Sequence, residues 1–136
     1  MVNAAEAYKR QQIMTATPEA LTLMLYNGCL KFMSEGMDAI ANKDFEQANT
    51  SLQKAQNIIS EFRITLNMDY EISQQLMPLY NYTYDRLVEG NLKGDVKLIQ
   101  EGKDIISELR DAWVQAMKKA RQDKGTQQTQ GSSYVG

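Results

Sequence analysis

No histidine occurs anywhere in the 136 residues. Its absence removes the usual acid or base near neutral pH, the haem axial histidine, the Glu-x-x-His di-iron set of bundle oxygenases and most zinc sites. The single cysteine, Cys29, excludes an internal disulfide framework and a thiolate metal cluster. Because it falls within an apolar stretch, it reads as a small core residue. The eight glycines are dispersed, so no phosphate-cradling loop is present. No apolar run approaches the roughly 18 residues of a membrane span, and no basic, apolar and small-residue leader opens the chain. Neither charge sign dominates: 15 Lys and Arg are scattered among 17 Asp and Glu, for a net −2. Without a basic stripe, nucleic acid is not an expected partner. The reading is a cytoplasmic protein without catalysis, metal, cofactor or membrane insertion.

What is present is helical periodicity. The stretch Thr17 to Ala41, TPEALTLMLYNGCLKFMSEGMDAIA, reads as one long helix with excess apolar surface. Stepped at about 100° per residue, Leu21, Leu25, Gly28, Phe32 and Ala39 form one stripe. Leu23, Tyr26, Leu30, Met33 and Met37 form another, roughly half a turn away. Together with Cys29, Gly36 and Ile40 they cover an arc of about 260°, far beyond the third of a surface helix that usually faces a core. Such a helix needs cover on two sides.

The other segments are simpler. Residues 1–16 form a polar arm with three apolar handles, Tyr8, Ile13 and Met14, and no pattern able to sustain a helix alone. Thr17 offers an N-cap and Pro18 a favoured first helical position. Asp44, followed by Gln47, forms a capping box for a helix over 44–66, whose apolar stripe runs from Phe45 through Ala48, Leu52, Ala55, Ile59 and Phe62 to Leu66. A third stripe runs from Ile72 to Leu87 and ends near Gly90 and Asn91, with Pro78 predicting a kink or a late start. Gly94 and Asp95 begin a last helix, about 95–121, in which Gly102 on the apolar face predicts close backbone approach. Residues 122–136 are Gln, Thr, Ser and Gly, predicting a disordered tail.

A chain of this length is one domain large enough to bury a core. Very short links make antiparallel neighbours. The predicted fold is therefore an all-α, antiparallel up-down four-helix bundle over 17–121, with a partly ordered N-terminal arm (1–16) and a disordered C-terminal tail. Three helices need one core. The stripe Leu23, Tyr26, Leu30, Met33 and Met37 is left over, to be covered by a partner, by a second copy or by the chain's own arm.

Specific motifs accompany this pattern. Tyr8, followed by Thr15-Ala16-Thr17-Pro18-Glu19 and Leu21-Thr22-Leu23-Met24-Leu25-Tyr26-Asn27-Gly28, resembles the opening signature of the FliS family of flagellin export chaperones. The similarity continues through Leu66-Asn67, Leu79-Tyr80-Asn81-Tyr82, Asp85-Arg86-Leu87, Asn91-Leu92-Lys93-Gly94-Asp95 and Leu109-Arg110-Asp111-Ala112-Trp113. Asp69-Tyr70-Glu71-Ile72 departs from the family's Gly-Gly-Glu-Ile, and Pro78 is a second departure. The resemblance implies a cytoplasmic helical bundle that binds the disordered C-terminal segment of flagellin, blocks premature polymerisation and delivers it to the flagellar export apparatus. It also implies an N-terminal arm, marked by Tyr8, that lies on the bundle when the partner is absent. The expected partner-binding residues are Tyr8, Ile13, Leu23, Tyr26, Leu30, Met33 and Met37. Self-dimerisation, or service to another client such as a flagellar gene regulator, is the alternative.

Overall fold

The computed structural model describes the backbone of residues 3–135 and the side chains of residues 3–123. Five helices follow one another: α1 (Ala4–Thr15), α2 (Pro18–Ala41), α3 (Phe45–Thr65), α4 (Glu71–Lys93) and α5 (Val96–Val135). α5 continues past the end expected at about 121, and the side chains of the tail expected over 122–136 lie, beyond Asp123, outside the described residues.

The helix ends follow local chemistry. Thr17 Oγ1 accepts from the Ala20 N–H at 3.2 Å, with Pro18 at the first helical position. Asp44 Oδ1 accepts from the Gln47 N–H at 3.1 Å. The return half of that capping box is not made: the Asp44 N–H donates to the Ala39 carbonyl at 2.8 Å, and the Gln47 amide nitrogen donates to Ser51 Oγ at 2.9 Å. Gly94, at φ 61°, closes α4 in the left-handed conformation that glycine adopts without a Cβ penalty. α4 starts at Glu71 and continues through Pro78, so the late start does not occur. Pro78 and Gln74 are both exposed, and the carbonyl deprived of its bond lies on the solvent side.

Links too short to cross the bundle set α2 to α5 as successive antiparallel neighbours. α2 packs on α3 and α5, α3 on α4, and α4 on α5, which closes a ring around one core. That core includes Tyr26, Cys29, Leu30, Met33, Ile40, Leu52, Ile59, Phe62, Tyr80, Leu87, Ile99 and Ile106. Small residues set the spacing at two crossings. A Cβ on Gly36 would lie 2.6 Å from Leu52 Cδ2, and one on Gly102 would lie 3.2 Å from Thr83 Cγ2, so the close approach predicted at Gly102 is present.

The arm differs from expectation. It is a 12-residue helix, capped by Asn3, whose side chain accepts from the Glu6 N–H at 2.8 Å. None of its residues is buried. Tyr8, Ile13 and Met14 are 65%, 54% and 78% exposed, so they do not cover the bundle.

Candidate functional site

The two stripes of α2 have exchanged the roles expected of them. Tyr26, Leu30 and Met33 are buried in the protein's own core, with Met33 at 0% exposure. This corrects their assignment as partner-facing residues. The physical reason is the ring: a helix held between α3 and α5 turns the bisector of its apolar arc inward; that bisector runs along Cys29, Gly36 and Ile40, and Met33, Tyr26 and Leu30 are drawn in beside it. Met37 is half-buried against the same core. Leu23 is half-buried and lines a cleft of about 180 Å³ shared with α5. Tyr8 and Ile13 stand exposed on α1. The seven expected residues therefore occupy three separate places.

The other stripe, apart from the buried Ala39, lies at the edge of the core, with Leu25 and Phe32 packed against it. Leu21, Leu25, Gly28 and Phe32 are all half-buried. Their spacing of four, three and four keeps them in line along α2, the register by which one helix receives another. Ile58 of α3, also half-buried, forms the opposite wall, where a Cβ on Gly28 would meet its Cδ1 at 3.7 Å. Gly28 therefore leaves a methyl-sized notch in an otherwise continuous apolar strip.

What bridges each seam sets this one apart. The α3–α4 seam is tied by Asn91 Nδ2 to Asn49 Oδ1 at 2.9 Å and by Arg63, which donates to Asn81 Oδ1 at 3.2 Å and lies 4.3 Å over the Tyr84 ring. The α4–α5 seam is tied by Tyr82, donating to Glu101 at 3.2 Å, and by the Arg86–Glu101 ion pair at 3.8 Å. The α2–α5 seam is tied by Arg110 to Asn27 at 3.4 Å and by Trp113 Nε1–H to the Glu19 carbonyl at 3.0 Å. Between α2 and α3 the one side-chain hydrogen bond among the described residues is internal, from the buried Cys29 thiol to the Ala55 carbonyl at 3.8 Å, and none lies on the outside of the seam. Only the Lys54 ammonium, 5.4 Å over the Phe32 ring, reaches across. An apolar seam without polar straps can admit another chain without breaking bonds of its own.

Burial pushes the Cys29 thiol up to about 12, leaving it protonated and unreactive at neutral pH. No group of acids, cysteine or histidine that could hold a metal ion occurs among the described residues. No described helix is long and apolar enough to cross a membrane.

Comparison with known proteins gives one answer. The model of the family described as Flagellar protein FliS matches residues 1–120. The flagellar secretion chaperone FliS of Bacillus subtilis (strain 168) is 46% identical over 122 residues, covering 90% of this chain and 92% of that protein. Its namesake in Escherichia coli (strain K12) is 30% identical over 108 residues, covering 77% of this chain and 79% of that protein. Both bear the name of a chaperone, not of an enzyme. A crystal structure of a flagellar chaperone from bacteria has the same fold, with TM-score 0.70 at 20% identity, over 86% of this chain and 99% of that one. With the family model matching from the arm to the end of the bundle, this chain belongs to the FliS family.

Proposed function

We propose that this protein is a cytoplasmic secretion chaperone that holds the disordered C-terminal segment of flagellin as a helix against the α2–α3 seam. The unbridged apolar seam, with its aligned Leu21, Leu25, Gly28 and Phe32, is the observation that carries this reading. A disordered amphipathic segment lacks a core of its own and becomes helical when an apolar strip supplies one. Burial of about 1,000–3,000 Å² in such coupled folding outweighs an ordering cost of about 2–5 kcal/mol and leaves a reversible complex suited to delivery. Holding the segment blocks premature polymerisation, and release at the export apparatus completes the cycle. No catalysis is involved.

Tyr8 and Ile13, exposed on α1, are free to add apolar contact to the bound segment. The test is titration with a peptide matching the flagellin C-terminus, against the full-length chaperone and its Leu25→Asp variant. Tight binding, lost in the variant while circular dichroism is unchanged, is the expected result. Equal binding by both proteins would place the site elsewhere. Sedimentation of the chaperone alone separates the competing reading, since a seam built for a second copy would be occupied without flagellin.

A further inference from the structure

A second surface, on the opposite flank of α2, has a different chemistry. Two clefts of about 260 and 180 Å³ lie along the outside of the α2–α5 seam and share Met117 and Arg121. Leu23, Val114 and Met117 give them apolar walls, and Lys118 and Arg121 stand exposed at the rim. Glu19 is the single acid on either lining among the described residues. It sits in the first turn of α2, where the positive helix end offsets it. The surroundings are basic in a chain that is acidic as a whole: Arg110, Lys118, Lys119 and Arg121 face only Asp111 and Asp123 between residues 110 and 123, against a net −2 for the protein. Below the clefts, the Trp113–Glu19 hydrogen bond pins α2 to α5, so the walls are held in place.

We propose that the α2–α5 clefts are a docking surface, separate from the α2–α3 seam, for an acidic amphipathic helix of another protein. Charge complementarity selects the occupant. Lys118 and Arg121, three residues apart, lie on one face of α5, matching carboxylates spaced three or four apart on a docked helix. The paired clefts take two apolar side chains of that helix one turn apart. A bare anion would leave the apolar walls unsatisfied, and an uncharged apolar helix would leave the cations unmatched. Because this surface and the α2–α3 seam lie on opposite flanks of α2, a chaperone holding its client can be bound here at the same time.

Trp113 is the only tryptophan, and it lies one helical turn from Met117, so its emission reports occupancy directly. The full-length protein is titrated with a designed helical peptide of about 15 residues, leucine on one face and glutamate on the flanks, and with a twin carrying lysine for glutamate. The expected result is a saturable Trp113 shift with the acidic peptide alone, weakened by salt. Binding should fall about tenfold or more in Arg121→Glu with Lys118→Glu, both exposed positions where the fold is indifferent. Equal response to both peptides, or an unchanged response in the double variant, overturns the proposal. So does a shift produced only by vesicles of anionic phospholipid, which would make the surface a membrane contact. Repeating the titration with the flagellin peptide bound should leave the response intact, and competition between the two peptides would overturn the separation of the sites. Flagellin binding measured alone reports on the α2–α3 seam, so failure of either reading is visible without the other.

Discussion

The hydroxyls of Tyr26 and Tyr80, 54 residues apart in sequence, meet at 2.6 Å inside the core. Phe62 lies between the two rings, with centroids 4.6 Å from Tyr26 and 5.3 Å from Tyr80. One hydroxyl donates to the other where water does not reach, so α2, α3 and α4 are joined by one aromatic stack with an internal polar contact. Tyr26→Phe or Tyr80→Phe alone should cost about 1–3 kcal/mol, since each strands the remaining hydroxyl. The double substitution should recover most of that loss. Urea unfolding of the four proteins in a double-mutant cycle measures the coupling, and purely additive losses would deny it.

The two glycines of α2 should respond in opposite directions. Gly36→Ala drives a methyl to within 2.6 Å of Leu52 and should destabilise the bundle by about 1–3 kcal/mol. Gly28→Ala meets only Ile58 at 3.7 Å and should stabilise it by up to about 1 kcal/mol through helix propensity. Thermal melts read both. Gly28→Leu fills the notch and should weaken flagellin-peptide binding while the fold survives.

The stripe exchange separates fold from binding. Phe32→Asp, on the half-buried strip, should lower affinity for the flagellin peptide about tenfold or more, a loss of about 1.4 kcal/mol or above, with helicity retained. Met33→Asp, one residue on, places a charge at a fully buried position and should unfold the protein. Circular dichroism beside calorimetric titration distinguishes them, and the reverse pattern would restore the buried stripe as the partner face.

Alkali should loosen the core through Cys29. Its thiol is raised by burial from 9.0 to about 12, so the folded state holds a proton that the unfolded state gives up sooner. Its contribution is present in full below about pH 9 and is lost as pH rises toward 12. Burial raises Tyr26 and Tyr80 in the same direction. Urea midpoints should therefore fall between neutral pH and about pH 10.5, less steeply in Cys29→Ala. At neutral pH the native thiol should resist alkylation until denaturant is added.

The bundle was legible in the sequence because α3, α4 and α5 each carry one stripe, and Thr17-Pro18 and Asp44 mark where helices begin. The proposed site was legible only as an excess. With both α2 stripes apolar, periodicity cannot say which faces inward; that depends on the angle at which α3 and α5 grip the helix, a property of the assembled ring. A better signal was Gly28, since a glycine in line with Leu21, Leu25 and Phe32 marks a strip built for approach. The arm escaped for another reason. Its helix rests on the Asn3 cap and local bonds such as Thr15 Oγ1 to the Gln11 carbonyl at 2.8 Å, and it buries nothing, so no amphipathic pattern announces it.

Every packing partner but one is the next helix along the chain. The exception is the seam tied by Trp113 and Glu19, 94 residues apart. Contacts between sequential helices form quickly, but this latch waits for α5. On the ribosome, the flank of α2 that faces α5 stays uncovered until Trp113 has emerged, so a nascent chain truncated before that point is expected to recruit holdases or aggregate.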